Sequence, residues 1–128
     1  MSSEFTILAL YGLLIIVLIL VDVLFSIKQF GVPYMSSARD EGRVKESIAG
    51  RADRATTNAA IGMALFAPAV LALSMTDQFT ATALFAAQIY LIARVVWAVV
   101  YLIGTPLIRT LSFVVALLAN AYLYILAL

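Results

Sequence analysis

Four apolar stretches, residues 5–27, 55–75, 79–103 and 107–128, are separated by polar breaks, and each is long enough to cross the roughly 30 Å hydrocarbon core of a bilayer as a helix. None shows the two-residue alternation of a membrane β-strand, and a closed barrel needs more segments than this chain supplies. The pattern therefore predicts an all-α membrane protein, a bundle of four transmembrane helices in a single domain spanning residues 1–128. Residues 28–54 form the one long polar segment, with Gly31, Pro33, Ser36, Ser37 and Gly42 as breakers. The other connections are tight. Ser74 to Gln78 joins the second and third spans and Gly104-Thr105-Pro106 the third and fourth, so both are expected to be antiparallel hairpins. Pro68 is expected to kink the second span, and Ala59, Ala60, Gly62 and Ala64 to let a neighbouring helix approach closely.

Composition agrees: 65% of the 128 residues are hydrophobic and 12% charged, too apolar for a soluble domain. A net charge of +1 lacks the cationic excess that nucleic acid binding requires, so that partner is excluded. With neither Cys nor His, no thiolate or imidazole metal site, disulfide or cysteine nucleophile is expected. The N-terminal segment carries Glu4 and no basic residue, so the first apolar stretch is expected to stay as a helix rather than be cleaved as a leader.

Lys28, Arg39, Arg43, Lys45, Arg51 and Arg54 concentrate in the first loop and Arg109 follows the third, which predicts that both face the cytosol and both termini the opposite side. Charges within the spans each cost roughly 3 kcal/mol on insertion scales and call for a partner or a purpose. Arg94 lies deepest of the arginines, about 14 Å below the end of its span at 1.5 Å per residue. Asp22 lies about 9 Å deep in the first span, which makes an Asp22–Arg94 structural ion pair one expectation.

Arg94, Trp97 and Tyr101 share one helical stripe, as do Arg51, Arg54, Asn58 and Ile61. Facing one another, with Arg109 arriving from the next helix, these stripes outline a pocket for an anion or a carboxylate. Interface anchoring accounts equally for Arg51 and Arg54, an aromatic belt for Trp97 and Tyr101, and a positive-inside signal for Arg109.

Three segments carry a family resemblance: Gly50-Arg51-Ala52-Asp53-Arg54-Ala55-Thr56-Thr57-Asn58, Ala93-Arg94-Val95-Val96-Trp97-Ala98-Val99-Val100-Tyr101 and Pro106-Leu107-Ile108-Arg109-Thr110-Leu111-Ser112-Phe113. In order and in span number the chain resembles the MAPEG superfamily, the membrane-associated proteins in eicosanoid and glutathione metabolism, and most of all its short bacterial branch. The resemblance implies a homotrimer in a bacterial inner membrane, with glutathione as co-substrate bound between subunits at the cytosolic side. It implies a transferase or peroxidase acting on a small lipophilic substrate. By motif position it makes Arg109 the catalytic group that stabilises the thiolate, and Arg51, Arg54, Asn58, Arg94, Tyr101 and Thr110 the glutathione-binding set. The chain departs from the pattern at Ile61, where the family has glutamate, and at Thr57, Leu24 and Trp97. These departures motivate an alternative, a non-catalytic trimeric membrane scaffold that binds lipid or a protein partner.

Overall fold

The computed structural model describes residues 3–38, 45, 47–77 and 79–128, so Arg39, Gly42, Arg43 and Gln78 lie outside the described residues. Its helices are α1 (Glu4–Phe30), α2 (Val32–Ser36), α3 (Ser47–Met75), α4 (Ala81–Ile103) and α5 (Pro106–Ala127), with no strand among the described residues. All but α2 are long and apolar enough to cross a membrane, and the chain is an integral multi-pass membrane protein with a four-helix bundle fold.

Local chemistry sets the ends of these helices. Ser3 and Thr80 cap α1 and α4, each side chain accepting a backbone N–H three residues on. Gly104 ends α4 in the left-handed region at φ 92°, where only a residue without Cβ sits at no cost. Its N–H and that of Thr105 both donate to the Val100 carbonyl, at 2.8 and 3.0 Å, and Pro106 then opens α5. Gly31 (φ 87°) ends α1 in a similar way, and Pro33 starts the short helix α2 inside the segment read as loop.

The second span also differs from its sequence reading. Helix α3 begins at Ser47, well before residue 55, because residues 47–54 are too polar for hydrocarbon yet rich in the good helix formers Ala and Arg. A bilayer boundary is not a helix boundary. Arg51 and Arg54 consequently project from a rigid helix rather than a loop, and Pro68 sits inside that same helix.

Helix α1 packs on α3 and α4, and α5 on α4 and α3. Three phenols fasten this arrangement. Tyr11 of α1 donates to the Ala59 carbonyl (2.7 Å), Tyr90 of α4 to Gly62 (3.3 Å) and Tyr124 of α5 to Leu65 (2.5 Å). Because the acceptors recur every third residue along α3, each neighbouring helix is tied to one level of it. Phe66 stacks on Tyr90 with ring centroids 4.2 Å apart, and Tyr11 meets both rings edge-on. Below this aromatic centre, toward the α4–α5 turn, Leu18, Ala55, Ala59, Trp97 and Ala98 form a second buried cluster.

Candidate functional site

The two polar stripes meet. Arg94 Nη2 donates to Asn58 Oδ1 at 3.0 Å, and Arg54 Nε donates to the Tyr101 hydroxyl at 3.2 Å, so α3 and α4 are joined at two levels. The guanidinium carbon of Arg109, in the first turns of α5, lies 5.1 Å from the centroid of the Tyr101 ring. Tyr101 thus holds an arginine from α3 at its hydroxyl and one from α5 at its ring. Trp97 continues the line, 4.9 Å from Tyr101 and 4.3 Å from the Arg94 guanidinium.

Between these stripes runs a crevice of about 320 Å³, lined by Asp53, Arg54, Thr57, Asn58, Ile61, Trp97 and Tyr101. That volume is at the low end for a small-molecule site. Its walls combine a fixed cation, an amide, a phenol and an indole with the carboxylate of Asp53, which Lys45 Nζ approaches at 3.5 Å. Such a set grips a carboxylate or a peptide backbone and leaves an apolar surface at Ile61 for a hydrocarbon. Arg109 is half-buried, and near a helix N-terminus a cation gains nothing from the macrodipole, so its placement is not explained by helix stability.

Other residues singled out in the sequence go elsewhere. Arg51 Nε donates to the Leu102 carbonyl (2.9 Å), and its guanidinium lies against Gly104, so it braces the α4–α5 corner. Thr110 returns its hydroxyl proton to the Pro106 carbonyl, at 3.1 Å, one turn back along its own helix.

The Asp22–Arg94 ion pair does not form. Asp22 accepts from Lys45 Nζ at 2.9 Å and from Ser26 at 3.2 Å, and Lys45 also reaches Asp53 at 3.5 Å. Depth explains the difference. The Arg94 guanidinium lies 5.9 Å from the Tyr11 ring, and Tyr11 is about 16 Å along α1 from Asp22 at 1.5 Å per residue. Counting from each span's own end placed the two groups closer than the offset between α1 and α4 allows.

Sequence reasoning missed Asn120. It is 4% exposed on α5, its Oδ1 has no hydrogen-bond partner, and it lines the same small cavity as Arg94. The signal was available, since an amide within an apolar span calls for a partner by the same logic as a charge.

Comparison with individually curated proteins and with solved structures returns no match. The model of one protein family, however, matches residues 5–128, nearly the whole chain. With four membrane-crossing helices and the span-two, span-three and span-four motifs in register, the chain belongs to the MAPEG family.

Proposed function

We propose that this protein binds glutathione or a related thiol in the crevice between α3 and α4 and delivers it to small lipophilic electrophiles dissolved in the bilayer. The observation that carries this reading is the gathering of Arg54 and Arg109, from two different helices, on the single phenol of Tyr101. Arg54 and Asn58 would grip the carboxylates and amides of the peptide, with Arg94 behind them through its bond to Asn58. A thiol brought beside Arg109 loses its proton more readily, because a guanidinium favours the anion in a low-dielectric site. The thiolate then forms a C–S bond with an electrophilic carbon as that carbon expels its leaving group with the bonding pair. With a peroxide it attacks an oxygen instead, breaking the O–O bond to release an alcohol and leave a sulfenic acid that a second thiol molecule converts to a disulfide and water.

Family kinship supports a homotrimer, in which the crevice is completed by a neighbouring subunit. The cluster of Lys and Arg in the first loop supports an orientation with that end in the cytosol and both termini outside, in a bacterial inner membrane. Glutathione added to purified protein in detergent should produce the ultraviolet absorbance of a thiolate, and Arg109→Ala should abolish it. Absence of the signal, or its persistence in the variant, refutes the reading.

One observation favours a second reading, a non-catalytic scaffold that binds lipid. Ile61, 57% exposed, puts an apolar side chain on the crevice wall where the resemblance calls for an acid. Copurified phospholipid filling the crevice, with no thiolate signal, would establish that alternative.

A further inference from the structure

Asp53 and Arg54 are consecutive on α3, and both line the crevice that runs to Tyr101. No other charged side chain among the described residues lines it. An anion drawn in by the guanidinium therefore meets a carboxylate beside it, and like charges at that distance oppose entry.

Lys45 neutralises this carboxylate only in part. Its Nζ sits 2.9 Å from Asp22 Oδ1 but 3.5 Å from Asp53 Oδ1, which holds the lysine toward α1 and leaves the Asp53 side chain 53% exposed. Thr57 adds a second acceptor one turn along α3. Its hydroxyl donates to the Asp53 carbonyl at 3.1 Å, so the lone pairs of its oxygen remain for a donor from outside. Arg54 commits Nε to Tyr101 and carries four further N–H donors on its terminal nitrogens. One end of the crevice thus offers acceptors for a cation directly beside donors for a carboxylate. The complement of that arrangement is a zwitterion, an ammonium and a carboxylate on one carbon.

We propose that Asp53 determines specificity in this crevice by selecting thiols that carry a free α-amino acid group, holding the ammonium while Arg54 holds the neighbouring carboxylate. The inference rests on the thiol reading of the crevice and adds which class of thiol enters. A thiol whose amine is acylated or absent leaves Asp53 without a counter-charge and brings its own carboxylate up against it. With the amino acid end held at Asp53 and Arg54, the rest of the molecule extends toward Tyr101 and Arg109.

Glutathione and glutaryl-cysteinylglycine differ only in that amine. Equilibrium dialysis of the detergent-purified full chain against each radiolabelled compound, at neutral pH, measures the two affinities without relying on a thiolate signal. Glutathione should bind about fivefold more tightly, the worth of a partly exposed ion pair. Asp53→Asn should abolish that preference by weakening glutathione alone, with glutaryl-cysteinylglycine held as before. The variant should fold, because the side chain is exposed and Lys45 keeps its closer partner Asp22. Equal affinities in the native protein, a preference that persists in Asp53→Asn, or equal weakening of both compounds overturns the role of Asp53 and leaves the thiol reading intact. Binding of neither compound overturns both.

Discussion

Replacing Gly62 by alanine tests the phenol-keyed packing that positions everything around Arg94. A methyl group there would overlap the Tyr11 hydroxyl and lie 2.9 Å from that of Tyr90. A side-chain tip can often swing away from such a clash, but these are held. Tyr11 is fully buried, bonded to the Ala59 carbonyl at 2.7 Å and pressed edge-on against Phe66 and Tyr90. Overpacking of this kind costs about 1–3 kcal/mol. Displacing a phenol from its carbonyl adds about 1 kcal/mol. Alanine returns about 1 kcal/mol through better helix propensity, leaving a net loss of about 2 kcal/mol. Unfolding in mixed micelles by rising mole fraction of a denaturing detergent, read by Trp97 fluorescence, measures it. Gly12→Ala is the control, because the nearest atom to its new methyl is Met63 Cε at an ordinary 3.9 Å, so stability should hold or rise. Adding Tyr11→Phe to Gly62→Ala removes the overlapping oxygen, and the double variant should be more stable than the summed single effects by about 1 kcal/mol. Full stability of Gly62→Ala, or strict additivity in the cycle, refutes the reasoning.

Asp22→Asn should cost about 1 kcal/mol in the same unfolding assay, because the Lys45 pair at 2.9 Å is only partly shielded from solvent. An unchanged midpoint would mean that the pair does not tie the first loop to α1. Tyr101→Phe keeps the ring beneath Arg109 but removes the acceptor for Arg54, and should weaken glutathione binding about fivefold while the bound thiolate signal survives. Unchanged binding in Tyr101→Phe would show that the hydroxyl is idle, and equal loss in Tyr101→Phe and Tyr101→Leu would show that the ring is. Arg51→Gln should lower stability by about 1.5 kcal/mol, the worth of a charged donor to the Leu102 carbonyl, as read in the same unfolding titration.

The fold was legible because hydropathy alone demands four spans and because Gly104-Thr105-Pro106 spells a helix stop and start. The facing of the two stripes was legible too, since i, i+3 and i+7 spacing fixes which residues share a side of a helix. What periodicity does not encode is the axial offset between helices. That offset decides that Asp22 meets Lys45 while Arg94 sits level with Tyr11. Nor does composition reveal that residues 47–54 are helical, because polarity marks where hydrocarbon ends and is silent on where backbone hydrogen bonding ends. Asn120 escaped notice for a related reason. Uncharged, it is not found by a search for charges within the spans, although an amide in hydrocarbon needs a partner just as a charge does.

Compensation for charge falls with depth in this bundle while the need for it rises. Near the α4–α5 turn, Lys45 has two carboxylates, Arg51 a carbonyl and Arg54 a phenol. Arg94, deepest of all, has one neutral amide and two ring faces. A side chain kept for architecture would be expected to carry its own counter-ion, and removing one member of such a buried pair costs about 3–5 kcal/mol. Arg94→Met should behave differently. Deleting the cation relieves a desolvation penalty of several kcal/mol, methionine fills the space, and the losses are the Asn58 bond and the cation–π contact with Trp97, about 1–2 kcal/mol each. These terms nearly cancel, so the bundle should keep its stability to within about 1 kcal/mol in the unfolding titration. A drop of about 3 kcal/mol or more in the unfolding titration would instead make Arg94 a structural strut, with its compensation inside the protein after all.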